Sequence, residues 1–551
     1  MAEPPLISVV MPVYETPEAL LRAAIDSVRA QLYPHWELCI ADDASKSPHV
    51  KDVLEHYRAT DSRIKVCCRA QNGHISAASN SALALAEGEF VALLDHDDRL
   101  SEHALYIVAA AVSTDPQLDL IFSDEDKIDA AGRRYDPYFK SDWNPDLMLS
   151  QNAFNHLGIY RRSLVERIGG FRSGYEGSQD YDLVLRASRH TTPDRIRHLP
   201  YILYHWRAIP GSVAMRADEK SYAAANARRA IADHLAACNI AAEVRASGNQ
   251  FFHRVSYIIE QPAPRVSIVV PTRDRADLLR VCVTGLRDRT DYPDYEVLIV
   301  DNGSRDAVTR DYLAKLARTP QVRIFAYDVP FNFSAINNFA AAHATGSLLC
   351  LINNDIEVIH PNWLTEMVSR AVQPGVGAVG ALLYYPDDRI QHAGTILGIG
   401  GVAGHAHLGL ARGSDGYFGR ASLVQDLSAV TAACIVIPAA VFEQVGGFDE
   451  QNLPVAFNDV DLCLRIRELG YRIVWTPYAE LYHHESASRG SDTRPDTIGR
   501  FNSEANYMRK RWGLVLDHDP YYNPNLGLDR SDFGLAFPPR VDRPWRRGDS
   551  G

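Results

Sequence analysis

The chain has 551 residues, 46% of them apolar and 23% charged, with a formal net charge of −12. That length outgrows a single core and suits two domains of about 200–250 residues plus connections. The composition is that of an ordinary soluble globular protein, and an acidic balance with no basic stripe argues against a nucleic-acid partner.

No apolar run reaches the roughly 20 residues of a membrane span, and the N-terminus lacks a charged-then-apolar signal pattern. The eight cysteines include no Cys-x-x-Cys pair and several sit in apolar runs. They read as small buried hydrophobes in a reducing, cytoplasmic setting.

Along the chain, the first element is a β-branched run, Leu6–Tyr14, that reaches Pro12. A helix pattern over about Pro17–Gln31 and a second apolar run, Trp36–Ala41, follow. That run ends on Asp42-Asp43-Ala-Ser45. Helix-like stretches and short apolar runs continue to Phe90–Leu94, which meets the cluster Asp95-His96-Asp97-Asp98. Next come Gly169-Gly-Phe171, Gln179-Asp180-Tyr-Asp182 and Leu203-Tyr-His205. An alanine-rich helix, about Glu219–Ala242, and a strand-like return, Phe251–Ile259, then lead into a second series.

That second series repeats the first. Arg265–Arg273 carries Pro271, a helix pattern covers Ala276–Arg289, and Tyr295–Val300 ends on Asp301-Asn302-Gly-Ser304. Leu348–Ile352 meets Asn353-Asn354-Asp355, and then come Gly446-Gly-Phe448, Asn458-Asp459-Val-Asp461 and Leu481-Tyr-His483-His484-Glu485. Pro12 lies 85 positions before Asp97, and Pro271 lies 84 before Asp355. Such a match in order, type and spacing implies two copies of one domain. Strands alternating with helices imply crossovers and a mostly parallel sheet, with ligands at the carboxyl ends of its strands.

The expected domains are 1–217 and 264–490. A helical linker and connecting strand would span 218–263, and a helix near Asn502–Trp512 with a Pro- and Asp-rich tail would fill 491–551. The second copy has about 20 extra residues before its Gly-Gly-Phe, much of them in Gly398–Gly419, a candidate mobile loop beside the cleft. The match of Gly398-Ile-Gly400-Gly-Val-Ala403 to a dinucleotide fingerprint is a decoy, because no helix pattern follows it.

Acids clustered at a strand end suit a hard divalent cation that neutralises a diphosphate. One such cluster alone reads as a polar turn; its recurrence at the same offset favours Mg²⁺ or Mn²⁺. Asp42 and Asp301 either cap the following helix or accept from a base or ribose hydroxyl. Asp180 and Asp459, with Asp182 and Asp461, fall at a helix start. They are either partners of the helix dipole, or, for Asp180 and Asp459, general bases beside the metal cleft. His205 and one of His483 and His484 are candidates to complete the metal shell; spacing does not choose between the last two.

These landmarks together, Val-Val-Met-Pro-Val-Tyr14, Asp42-Asp43-Ala-Ser45, Leu94-Asp-His-Asp-Asp98 and Gln-Asp180-Tyr-Asp182, resemble glycosyltransferase family 2. The resemblance covers about residues 5–215 and 264–490. The tandem arrangement, with Ser123-Asp-Glu-Asp-Lys127, Phe139-Lys-Ser-Asp-Trp143 and Tyr521-Tyr-Asn-Pro-Asn525, is similar to bacterial enzymes of O-antigen and rhamnan-type polysaccharide assembly. It implies an α/β chain of two tandem GT-A domains, each with a Rossmann-like, mostly parallel sheet, that transfer sugar with inversion.

The implied partners are a nucleotide-diphosphate sugar, UDP- or dTDP-linked, and a glycan or lipid-linked glycan acceptor, with peripheral contact at the inner face of the cytoplasmic membrane. Asp97 and Asp355 would be the principal metal ligands, Asp95 in support. Pro12, Tyr14, Asp42, Asp43, Pro271, Thr272, Asp301 and Asn302 would contact the nucleotide. Asp180 and Asp459 would be bases, and Trp143, Asp182 and Asp461 would face the acceptor, although Trp143 fits simple core packing equally well. Asn353, Asn354 and Ile356 replace Asp95, His96 and Asp98, so the second site holds fewer carboxylates. A single catalytic domain with a glycan-binding twin is the alternative. A sugar nucleotidyltransferase is disfavoured, since no glycine-rich loop follows Pro12 or Pro271.

Overall fold

The computed structural model describes residues 4–207, 217–484 and 497–541; Glu485 and the boundary at 490 lie outside them. The chain forms two compact units, one of residues 1–143 and 151–255, the other of residues 144–150 and 256–551.

Unit 1 contains strands β1 (Ile7–Val13), β2 (Trp36–Asp42), β3 (Ile64–Cys68), β4 (Phe90–Leu93), β5 (Arg99–Leu100), β6 (Leu120–Ile128), β7 (Arg134–Tyr138), β8 (Gly158–Arg161) and β9 (Ile196–Arg207). The sheet runs β3-β2-β1-β4-β8-β6-β9-β5, with β7 on β6. β1 pairs in parallel with β2 and β4, so Val13, Asp42 and the turn after β4 all finish at one edge. Every residue of β1 and β2 is buried, as expected of parallel strands covered on both faces. Ile7, Val9, Met11 and Val13 pack against Leu21, Ala24, Ile25 and Val28 of the helix Glu18–Arg29. The alternate residue Val10 packs on the other side with Ala82 and Val91. That two-sided core follows from the pleat.

A hairpin, β10 (Ala242–Ser247) and β11 (Asn249–Tyr257), precedes the second sheet. Unit 2 contains β12 (Val266–Thr272), β13 (Tyr295–Asp301), β14 (Val322–Ala326), β15 (Leu348–Ile352), β16 (Ile356–Val358), β17 (Val376–Tyr384), β18 (Ile390–His392), β19 (Thr395–Leu397), β20 (Ala403–His405), β21 (Gln425–Leu427), β22 (Cys434–Pro438) and β23 (Arg472–His483). Its main sheet runs β14-β13-β12-β15-β22-β17-β23-β16, the order of the first sheet. Pro271 pairs with Val300 as Pro12 pairs with Ala41. Each unit thus has the mostly parallel sheet of the expected GT-A fold.

The Gly-Gly-Phe landmarks prove to be part of this frame. Asn80 Nδ2 donates to Phe171 O at 2.8 Å and its Oδ1 accepts from Phe171 N at 2.9 Å. Asn338 does the same with Phe448 at 3.0 and 2.9 Å. Gly170 and Gly447 both have φ +66°, and a Cβ on either would lie 2.5 Å from the asparagine Oδ1. Gly170→Ala therefore combines backbone strain with a clash on a hydrogen-bonded group. A loss of about 2–4 kcal/mol in denaturant unfolding is expected.

Two boundaries differ from the sequence reading. The helix expected as a linker spans Ala217–Ala237 and belongs to unit 1, where Ser178 Oγ donates to Ala223 O and Arg172 pairs with Asp233. Asn144–Ser150, from the first half of the sequence, belongs to unit 2. Asn144 exchanges two 2.9 Å hydrogen bonds with the backbone of Asp426, and Asp146 pairs with Arg472.

The Gly398–Gly419 region is pinned rather than free-standing. Asp519 accepts from Leu397 N at 2.8 Å and from Ser428 Oγ at 2.6 Å, and the Phe533 ring stacks on His407 and Tyr417. The tail thus packs on unit 2. Gly398 opens a 3-10 turn, and a Cβ there would meet Leu516 O and Leu528, so this decoy glycine serves packing. Among the described residues no helix is long and apolar enough to cross a membrane.

Candidate active sites at the strand ends

In unit 1 the strand ends gather Asp42, the turn Asp95–Asp98 and the start of the helix Gln179–Ser188. Pro12 is buried within β1, and Tyr14, just beyond it, is exposed. Asp42 is buried and its Oδ1 accepts from Ser45 N at 3.1 Å, so it does close the turn. Asp43 is spent on the loop after β3: its carboxylate takes Arg69 Nε at 2.7 Å and Gly73 N at 2.9 Å. Its counterpart Asn302 differs. Asn302 Nδ2 donates to Tyr327 O and Val329 O, while its buried Oδ1 has no hydrogen-bond partner among the described residues.

Asp301 Oδ1 takes Ser304 N at 3.0 Å, and Asp301 borders a cavity of about 210 Å³ with Arg310, Leu313 and Ile324. Thr272 Oγ1 accepts from Asn354 Nδ2 at 3.1 Å, which ties the first strand end of unit 2, beside Pro271, to its acidic turn.

The acidic turn of unit 1 is only partly available. Asp98 is buried and engaged on both oxygens, by Arg207 N and the Tyr204 hydroxyl, each at 2.6 Å. Burial, and then the charges of Asp95 and Asp97, push its carboxyl well above the usual range. Burial likewise raises Asp95, against the pull of His156. Asp97 remains a quarter exposed. Asp95 and Asp97 are thus the carboxylates open to a cation.

His205 does not join them. Its Nδ1 sits 2.5 Å from Asp126 Oδ1 and its Nε2 3.0 Å from Ser101 Oγ. The reason is register: Arg99 pairs with His205, whereas Ile356 pairs with His483. Asp98 is the counterpart of Ile356, so the repeated Leu-Tyr-His falls one residue out of step, and one step in a strand reverses the side chain. In unit 2, His483 does face the acid, with Nε2 3.2 Å from Asp355 Oδ1. His484 instead reaches Glu357 at 3.1 Å.

His483 and Asp355 fit a divalent cation. Gln391 Oε1 lies 2.7 Å from His483 Nδ1 and places the proton there, so the neutral ring turns its Nε2 lone pair toward Asp355. Asn353 Nδ2 lies 3.3 Å from the same nitrogen. Asp355 Oδ1 is buried and has no properly aligned hydrogen bond despite the 3.2 Å approach. Two acceptors facing each other about 3 Å apart suit adjacent ligands of a cation with 2.0–2.1 Å bonds. Burial raises the Asp355 carboxyl, while a hydrogen bond and charge from His483 bring it below its ordinary value; that contribution requires a proton on His483 Nε2, whose place a cation would take. Among the described residues no group of three or more His, Cys, Asp or Glu is gathered closely enough to hold a metal alone. That is usual for Mg²⁺, which leans on water and substrate phosphates.

Asp180 and Asp459 open their helices on the cleft side. Asp180 Oδ2 accepts from Asn152 Nδ2 at 3.0 Å; burial, then opposed by His156 and reinforced by Asp95, raises its carboxyl. Asp459 Oδ2 accepts from Ala432 N at 3.1 Å, while the next residue, Ala433, accepts from Asn353 N. Asp459 and the acidic turn therefore flank one dipeptide. Asp182 and Asp461, expected at the acceptor, are engaged within the fold. Asp182 is held by Arg186 at 2.8 Å and by Arg172, and Asp461 by Arg465 at 2.7 Å and Trp512 Nε1 at 2.9 Å. Both are buried. Trp143 is half-buried at the point where the chain leaves unit 1.

Sequence reasoning missed the wall behind the first site. His156 Nδ1 contacts Glu125 Oε2 at 2.8 Å, and its ring stacks on Tyr204 at 4.6 Å. Lys140 is buried and donates to His156 O at 3.0 Å. The available signal was the run Ser123–Lys127, charged in a buried strand whose counterpart β17 is wholly apolar. In the same wall His198 meets Asp124 at 2.8 Å. Burial disfavours the imidazolium, but Asp124 and Asp142 overcome it and lift His198 to about 9. Since an unfolded histidine titrates near 6.5, this stabilisation is complete below about pH 6.5 and is lost as pH rises through about 9. His198→Gln should therefore flatten the fall in unfolding free energy across that window, by up to about 3 kcal/mol.

A family model described as "Glycosyl transferase family 2" matches residues 8–169 and 267–407, just over half of the chain. An uncharacterised protein of Sinorhizobium fredii, y4gI, is 49% identical over 97% of this chain and 59% of its own length. The O-antigen biosynthesis protein RfbC of Myxococcus xanthus is 41% identical over 97% of this chain and 41% of its own. The chain thus spans about half the length of these two relatives. Among solved structures, S. aureus TarS 1–349 in complex with UDP-GlcNAc is 22% identical over 42% of this chain and 66% of that one, with a TM-score of 0.35.

Proposed function

The chain belongs to glycosyltransferase family 2, and from that membership we propose that it moves sugar from a nucleotide-diphosphate donor to a growing bacterial surface polysaccharide, with inversion, at two sites. The observation that carries this reading is the convergence in each unit of an acidic turn and a helix-start aspartate on one strand-end cleft: Asp95, Asp97 and Asp180 in unit 1, and Asp355 and Asp459 in unit 2. The name of the Myxococcus xanthus relative supports O-antigen assembly as the setting.

Asp95 and Asp97 would hold Mg²⁺ or Mn²⁺ in the first site, and Asp355 and His483 in the second. When bound, the ion supplies positive charge for the departing diphosphate. Asp180 or Asp459 takes the proton from an acceptor hydroxyl. The hydroxyl oxygen forms its bond to the anomeric carbon from the face opposite the phosphate. The carbon–oxygen bond to the diphosphate breaks, and the nucleoside diphosphate leaves with the electron pair. Asp42 and Asp301, at the ends of the second strands, face the nucleoside. In unit 2 the unpartnered Asn302 Oδ1 accepts a base N–H there. An acceptor carried on lipid would bring the protein to the inner face of the cytoplasmic membrane.

Labelled UDP-, dTDP- and GDP-sugars offered with a membrane fraction bearing acceptor test the reading. Release of nucleoside diphosphate together with an inverted glycoside is expected. Release of pyrophosphate or of nucleoside monophosphate would overturn it.

A further inference from the structure

The two sites do not use the same imidazole. β4 pairs Phe90 with Arg161, and β15 pairs Leu348 with Pro438. Counting back along the partner strands makes His156 the counterpart of Ala433, a residue whose side chain has nothing to donate. Neither histidine of β9 reaches the acidic turn of the first site: His205 is turned away to Asp126 and Ser101, and His198 is held by Asp124 and Asp142. The stacking of the His156 ring on Tyr204 places an imidazole there by another route.

Its ring is held on three sides. Glu125 Oε2 takes the Nδ1 hydrogen at 2.8 Å and also accepts from His156 N at 2.6 Å. Tyr204 lies under the ring, and its hydroxyl reaches both Asp98 Oδ2 at 2.6 Å and Asp95 N at 3.3 Å. Trp206 closes a second side at 6.1 Å. With Nδ1 held and the side chain still a quarter exposed, Nε2–H is the edge left for a substrate. Extending the β4–β8 register beyond its last pair, Ala92 with Ile159, brings His156 level with Asp95, the start of the acidic turn, whose carboxyl feels the charge of His156. A largely buried carboxylate on Nδ1 fixes the ring and, as an opposite charge in direct contact, favours the imidazolium, which carries a hydrogen on each nitrogen; a neutral ring held this way would present only a lone pair at Nε2.

We propose that His156, resting on the reading of the first cleft as a donor site, is a catalytic residue that donates from Nε2 to the departing β-phosphate of the nucleotide donor. As the anomeric carbon–oxygen bond breaks, negative charge grows on the phosphate oxygen. The Nε2–H hydrogen bond stabilises that charge, and the proton stays on the imidazole. A donor aimed at developing charge inside a cleft is worth more than the same group in water. The second site, with Ala433 in that place, draws its imidazole from His483, which faces Asp355 instead.

The test separates β-phosphate contact from other roles. In an Asp355→Ala parent, which leaves the first site to report, calorimetry compares UDP, dTDP and GDP, each against its monophosphate, in Mn²⁺. His156→Gln and His156→Ala are expected to weaken diphosphate binding about tenfold or more, as for loss of a hydrogen bond to a charged group. Monophosphate binding should stay within about twofold. Equal loss for both nucleotides would mean that His156 only maintains the shape of the cleft, and would overturn the proposal. Unchanged diphosphate binding with a raised acceptor KM would overturn it in favour of an acceptor contact. A parent that binds no diphosphate would bring down the donor-site reading itself, a result distinct from both.

Discussion

Asp180→Asn is expected to cut formation of one linkage by about 10²–10⁴-fold while nucleotide binding changes little. Asparagine keeps the volume and can still accept from Asn152 Nδ2, so the geometry at the helix start survives. What disappears is the ability to take a proton from the attacking hydroxyl. Burial and the neighbouring Asp95 raise the Asp180 carboxyl, although His156 opposes them. A base must be ionised, so the acid limb of the rate profile for this linkage should lie above the ordinary range for an aspartate. Product analysis at several pH values checks both points. A variant that keeps its rate would show that Asp180 serves only the helix dipole.

His483→Ala should raise the Mn²⁺ concentration needed at the second site by about 10–100-fold or more, since even outer-shell changes cost that much. The expectation rests on the buried Asp355 Oδ1 and the His483 Nε2 that faces it at 3.2 Å. Gln391→Leu, which frees the Nδ1 edge, should shift the same titration less. His484→Ala should leave it unchanged, because that ring points to Glu357. Metal titrations of nucleotide binding distinguish the three. Equal effects from His483 and His484 would contradict the assigned geometry.

Much of the fold was legible because parallel strands buried on both faces write continuous apolar runs. Trp36–Ala41 and Tyr295–Val300 fell one residue short of β2 and β13, the missing residue in each being the acid that ends the strand. The sequence alone misplaced what depends on register and on distant partners. Leu203-Tyr-His205 and Leu481-Tyr-His483 match letter for letter, yet a strand shifted by one residue sends His205 away from the cleft. Asp182 and Asp461 look like site residues until Arg186 and Arg465, one helical turn on, are seen to hold them. His156 carries no motif, and only the charged strand Ser123–Lys127 hinted that something buried required a partner. Asn144–Ser150 could not have been assigned to unit 2 from composition, because its bonds run to Asp426 and Arg472, 282 and 326 positions away.

The most direct test of two working transferase sites is calorimetric stoichiometry with UDP, dTDP and GDP in Mn²⁺. The native chain would be compared with Asp97→Ala and Asp355→Ala. Two nucleotide sites, each lost in one variant, are the expected result. A single site abolished by only one of the substitutions would contradict the account and leave one transferase beside a twin that has kept the fold without the chemistry.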